Sequence, residues 1–228
     1  MTLAQVLTSL GFHHLGFIML PLTHLGNLFL LGGLSLLLGL WLLSASGFRA
    51  GLLWALLFLG CTASLAALKI YFAACPIEHW YLRSPSGHSA MSALVYGAIG
   101  CCAMREAPLW RRRLLIILLP LLVGGIAISR ILLQMHSGEE VLMGLALGGA
   151  FLLLFCWLYL KLPQHSLGWK RPLLALLLLF LTLKFIIRPV SLEALFHGLS
   201  FHWQLSTQLC AQQRPESLLV PGGPEYEI

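Results

Sequence analysis

Six stretches of the chain, at 28–46, 51–74, 87–104, 114–133, 139–160 and 172–190, are predominantly apolar and are parted by short polar breaks. A helix climbs about 1.5 Å per residue, so roughly 20 apolar residues match the ~30 Å hydrocarbon core of a bilayer. Composition agrees, because 10% of the 228 residues are charged, against about 25% for a soluble domain. Such a chain has too few charges to cover a water-facing surface. The expected fold is all-α, a polytopic membrane bundle of about six transmembrane helices.

Residues 1–24 are also apolar but are interrupted by Gly11, His13, His14, Gly16 and Pro21. They read as an interfacial or re-entrant helix, with a full span as the lesser alternative. No basic stretch precedes them, so they do not read as a cleavable signal peptide. The chain thus divides into an N-terminal interfacial segment at 1–27, a transmembrane domain at 28–190 with its core at about 51–160, and a C-terminal tail at 191–228, which the Lys and Arg of the breaks place on the extracytoplasmic side. The tail opens as a surface helix, with Phe201 and Trp203 as interface anchors, and ends in a Pro/Gly-rich run at 221–224 that reads as disordered. Cys61, Cys75, Cys101, Cys102, Cys156 and Cys210 lie mostly inside apolar runs, as small buried hydrophobes rather than a disulfide framework. Gly144 and Gly148 are spaced for close helix packing within the bundle.

Lysines and arginines in the breaks set the orientation. One side receives Arg49, Arg105, Arg111, Arg112, Arg113, Lys161, Lys170 and Arg171. The other has Arg83 in a loop and Arg214 in the tail. Positive residues mark the cytoplasm, so the first side is expected to be cytoplasmic and the second to face outward. The net charge of +6 comes with no basic face interleaved with aromatics, so no nucleic-acid partner is indicated.

The polar residues inside this apolar chain gather on the outward side. Lys69 lies near the outer end of the second span, Ser86, Gly87 and His88 open the third, Arg130 lies near the end of the fourth, and His136 and Glu140 open the fifth. Separate hairpins deliver these groups to one membrane face, and intramembrane charges mark functional sites. Lys69 and Arg130 supply fixed positive charge, the latter as a planar fork suited to two phosphate oxygens. The Pro85-Ser86-Gly87-His88 turn feeds a helix N-terminus, whose open N–H groups favour an anion, with the Ser86 hydroxyl as a further donor. His136 and Glu140 are four apart and share a helix face. A carboxylate on one ring nitrogen leaves the other as a nucleophile, and His88 is then available as general acid. His13, His14 and His24 lack a carboxylate or thiolate partner at metal-ligand spacing, so no metal and no cofactor is expected.

Lys69, Pro85-Ser86-Gly87-His88 and Ser129-Arg130-(five residues)-His136-(three)-Glu140 resemble the three motifs of the type-2 phosphatidic acid phosphatase (lipid phosphate phosphatase) superfamily. The resemblance covers roughly residues 23–160, including the Thr23-His24-Leu25-Gly26 approach to the first span. It implies that the later histidine, His136, is the nucleophile, that the earlier one, His88, is the acid, and that no metal is required. The implied partners are membrane lipids and a lipid phosphate substrate, of the polyprenyl (undecaprenyl) pyrophosphate, phosphatidylglycerol phosphate, phosphatidic acid or lipid A phosphate type. The implied place is the plasma or inner membrane, with the site on the periplasmic side. A phosphotransferase using the same phosphohistidine, or a non-catalytic lipid-binding or transport relative, is the alternative.

Two departures stand out. The first motif of the family has lysine, six residues and Arg-Pro, whereas here Lys69 is followed by five residues and Cys75-Pro76. The arginine is missing, and Arg83 is the nearest candidate to replace it. The third motif of the family ends in aspartate, and here position 140 is glutamate. If Arg83 binds phosphate, Arg83→Ala raises the KM for a lipid phosphate; an unchanged KM in a phosphate-release assay leaves the missing arginine unreplaced.

Overall fold

Helix boundaries follow the polar breaks. The computed structural model describes residues 13–74, 84–105 and 107–163. Among them are six helices: α1 (His13–Leu25), α2 (Leu28–Ala45), α3 (Phe48–Ala74), α4 (Gly87–Arg105), α5 (Leu109–Leu132) and α6 (Gly138–Tyr159). No strand occurs among the described residues. Asn27 caps α2, its side chain accepting the Phe29 N–H at 2.9 Å. Gly47 turns α2 into α3 with φ +87°, a left-handed conformation that only glycine adopts without cost. Pro108 holds the N-cap position of α5, so that helix begins about a turn before its predicted start and carries Arg111, Arg112 and Arg113 on its first turns.

Five of the six predicted spans are therefore helices close to their expected bounds. The predicted span at 172–190 and the tail lie outside the described residues. Helix α1 is described over His13–Leu25 and precedes α2 directly.

Helices α2, α3, α5 and α6 are each long and apolar enough to cross a membrane. The predicted third span, α4, does not reach that hydropathy, and its position explains why. It runs through the middle of the bundle, packing against α2, α3, α5 and α6. Ser89, Ala90, Met91, Ser92, Ala93, Leu94 and Val95 are all buried in succession. A helix screened from lipid gains more from small residues that admit close neighbours than from bulk. The expected packing of Gly144 and Gly148 is found here: a β-carbon on either would run into the backbone carbonyl of Ser86 or Ala90 respectively. This contact brings the start of α4 onto the first turns of α6.

The lipid-facing side is built oppositely. Leu114, Ile117, Leu121 and Ile128 of α5 are exposed, as are Leu142 and Leu153 of α6. Deeper in the bundle, Trp54 is buried edge-on to Phe155 with ring centroids 5.3 Å apart. Its indole N–H donates to the Ser35 carbonyl at 2.8 Å, so the one polar atom of the ring is satisfied. At the α4 C-terminus, Arg105 donates through Nη1 to the Tyr159 carbonyl at 2.9 Å and through Nη2 to the Leu162 carbonyl at 2.8 Å. A cation there serves the open carbonyls of α6. Arg105 and Lys161 thus lie at the bundle end opposite the start of α4.

Leucine at position 148 would force α4 and α6 apart, at a cost of about 1–3 kcal/mol or more. Gly149, with open space around its β-carbon position, is the control. Thermal unfolding in detergent is expected to show a clear loss for Gly148→Leu and none for Gly149→Leu.

Candidate active site

The site is assembled from helix ends, and each end has a local reason. Helix α5 finishes with Leu133 as C-cap and Gln134 at φ +56°. The Gln134 N–H bonds to the Ile131 carbonyl at 3.0 Å, and the Met135 N–H to the Arg130 carbonyl at 3.0 Å. This is the Schellman pattern of helix termination, with glutamine in the place glycine usually takes. The next residue, His136, also donates its N–H to the Arg130 carbonyl, at 3.3 Å. The five-residue spacing between Arg130 and His136 is the length of this turn. It brings the chain back so that both side chains lie at one rim.

Helix α6 then opens with a capping box. The Ser137 hydroxyl accepts the Glu140 N–H at 3.3 Å, and Glu140 Oε2 accepts the Ser137 N–H at 3.2 Å. The same Oε2 is 2.8 Å from His136 Nδ1. Oε1 accepts the Ser84 N–H at 2.8 Å, and the Glu140 main-chain carbonyl accepts the Ser86 N–H at 2.9 Å. Glu140 therefore holds the His136 ring and the turn that leads to His88. Its departure from aspartate has a structural reason, because a capping box uses the longer glutamate or glutamine at this position. Glu139 is exposed, a solvated neighbour.

Ser86 caps α4. It is fully buried, and its Oγ accepts from the Ser89 N–H at 3.4 Å and from the Ser89 hydroxyl at 3.0 Å. The hydroxyl is thus turned inward, and the turn would meet an anion through the first-turn N–H groups of Gly87 and His88, which a helix leaves without an internal acceptor. The stem of Lys69 lies against this turn: a β-carbon on Gly87 would sit 3.9 Å from Lys69 Cε. Arg130, Lys69, His136 and His24 all lie within electrostatic reach of the His88 imidazole. Arg130 is buried, with 5% of its surface exposed, and donates through Nη1 to Thr23 Oγ1 at 3.1 Å.

The structure thus brings together Lys69, Ser86, Gly87, His88, Arg130, His136 and Glu140. Arg83 and Cys75-Pro76 lie outside the described residues. Two further residues belong to the neighbourhood, Thr23 and His24 of α1; the sequence reading placed His24 at the interface and gave Thr23 no role. The signal available for them was the position of Thr23-His24-Leu25-Gly26 just before the first span.

A sequence profile of the PAP2 superfamily matches residues 61–164, which contain every one of the motif residues from Lys69 to Glu140. Residues 61–164 are thus similar to the PAP2 superfamily, and the match supports membership in it. This bears out the resemblance drawn from the three motifs. At the level of the superfamily the activity is of phosphatase type, on phosphate esters. No curated protein and no solved structure matches the chain.

His136 lies between α5 and α6, outside the spans. Its side chain is 7% exposed, and that burial lowers its pKa, while the hydrogen bond to Glu140 and its negative charge pull the other way; the net direction is down. Arg130 and Lys69 add to the lowering. The ring accordingly stays neutral to a lower pH than a free imidazole, whose pKa is about 6.5. Removing the carboxylate charge removes the main opposing influence. In an NMR titration of the detergent-solubilised chain, His136 is expected to titrate below 6.5, and Glu140→Gln is expected to move its midpoint lower still; a rise would contradict this balance.

Proposed function

We propose that this chain is a PAP2 enzyme that hydrolyses the phosphate or pyrophosphate monoester of a membrane lipid through a phosphohistidine on His136. The 2.8 Å contact between His136 Nδ1 and Glu140 Oε2 carries the reading. With Nδ1 bonded to a carboxylate, Nε2 keeps its lone pair and is the nucleophile. Nε2 attacks phosphorus, and the N–P bond forms as the P–O bond to the lipid breaks. His88 gives its proton to the departing oxygen; a bound phosphate dianion favours the imidazolium form needed for this. The neutral His88 then takes a proton from water, whose oxygen attacks the phosphohistidine. Inorganic phosphate leaves and both rings return to their starting states.

Lys69, Arg130 and the open N–H groups of the α4 first turn balance the charge on the phosphoryl oxygens. Glu140 balances the charge that His136 acquires. The proposed route uses no metal ion and no cofactor. Exposed apolar faces on α5 and α6 support a lipid substrate, whose tails remain in hydrocarbon while its headgroup meets the polar rim. The substrate classes proposed are polyprenyl pyrophosphate, phosphatidylglycerol phosphate and phosphatidic acid. Arg105 and Lys161 at the far end of the bundle, together with the exposed Arg111, Arg112 and Arg113, support a rim on the extracytoplasmic side of a plasma or inner membrane.

The test is phosphate release by the purified full chain from a panel of these lipids, with EDTA present throughout. His136→Ala is expected to lose on the order of 10³-fold or more in kcat, as for a nucleophile that acts as a unit with its partners. Release that persists unchanged in His136→Ala overturns the catalytic proposal, and release that appears only with an added lipid or sugar acceptor identifies a transferase.

A further inference from the structure

The C-terminal end of α1 touches the site at three points, although it lies outside the residues that match the superfamily. Thr23 is buried, and its Oγ1 accepts the hydrogen bond from Arg130 Nη1 across 107 positions of sequence. Gly26 lies against the imidazole of His88: a β-carbon there would sit 3.2 Å from His88 Cδ2, 3.3 Å from His88 Cβ and 2.7 Å from Ile126 Cγ2. Between them, the Leu25 carbonyl accepts the Tyr96 hydroxyl of α4 at 2.8 Å. One short segment thereby reaches the phosphate-binding cation, the proposed general acid and the helix that carries it.

We propose that the Thr23–Gly26 segment is a further wall of the active site, in which Thr23 is a positioning residue for Arg130 and Gly26 is the seat of the His88 ring. This rests on the reading of Arg130 as a phosphate ligand. Arg130 stands in the last turn of α5, where the helix's own open carbonyls attract a cation. An acceptor on a second helix draws the guanidinium across the rim instead. Because the guanidinium is planar, holding one of its nitrogens fixes the direction of its remaining donors. The acceptor is a neutral hydroxyl, so it orients the group without cancelling its charge. A carboxylate in that place would hold Arg130 more strongly and leave less attraction for an anion. At position 26, a β-carbon would clash with Ile126 and press on His88, so the ring would have to give by a few tenths of an ångström to admit one.

The experiment uses the full chain in detergent micelles, with inorganic phosphate affinity read by calorimetry and phosphate release read from a lipid phosphate. Thr23→Val, which keeps the shape and removes the hydroxyl, is expected to weaken phosphate binding about tenfold and to lower kcat/KM comparably, the size of one hydrogen bond to a charged group. Thr23→Ser is expected to restore both. In an Arg130→Gln background, Thr23→Val is expected to change neither by more than about twofold, since residues that act through one another are not additive. Unchanged affinity in Thr23→Val, or the same tenfold loss in both backgrounds, overturns the positioning role. Gly26→Ala supplies a second reading: it is expected to lower kcat while phosphate affinity stays within about twofold, and unchanged kcat overturns the seat. A wild-type chain that binds phosphate but releases none from lipid ends the hydrolase reading alone, and the affinity cycle still tests the wall. A wild-type chain that binds no phosphate ends both.

Discussion

The buried carboxylate of Glu140 is the interaction on which the rest of the site depends. Its two oxygens and its main-chain carbonyl accept from Ser84, Ser86, His136 and Ser137. A carboxylate this buried, its side chain 8% exposed, is tolerated only when its lone pairs are met. Here the groups that meet them are the groups a phosphate site needs held still. The cost of burying the charge and the ordering of these turns are one and the same arrangement. Its place in the first turn of α6 helps further, because the helix dipole favours negative charge there.

The second constraint is the approach of α4 to α6. Gly144 and Gly148 leave no side chain between the two backbones, and the Ser86 N–H can then reach the Glu140 carbonyl at 2.9 Å. Packing far inside the bundle and hydrogen bonding at its rim are thus linked. A bulky residue at either glycine would lift the turn away from its acceptor before it touched any reacting group. Arg105 ties the other ends of the same two helices through the Tyr159 and Leu162 carbonyls, so the pair is fastened at both termini.

Much of this is legible in the chain. Apolar runs of span length locate five helices, because the bilayer fixes both length and composition. The motif residues fall on one face because alternate helix ends must share a side. The Ser137-x-x-Glu140 pattern is a capping-box signature in plain sight, and it accounts for glutamate where the family has aspartate. The Schellman turn was less visible, since glutamine rather than glycine takes the left-handed position at 134. The tie between Thr23 and Arg130 could not be read at all. It joins residues far apart in sequence through the packing of α1 on α5, and no local spacing encodes such a contact. The low hydropathy of α4 is likewise explained only by its burial among other helices.

Two helix N-termini meet at the rim, and they are not equivalent. The first turn of α6 carries Glu139 and Glu140, so its partial positive charge is already answered from within the chain. The first turn of α4 carries no acidic residue. Glu140 reaches the preceding Ser84 and Ser86 N–H groups and stops there, leaving those of Gly87 and His88 to the helix's open end. Lys69 lies alongside that end and Arg130 within its field. On the proposed mechanism, an incoming phosphate would therefore be drawn to α4 and repelled from α6. With the anion at α4, His136 at the mouth of α6 would be the proposed nucleophile. The proposed division of labour between the two histidines would then follow from which helix end has had its charge satisfied.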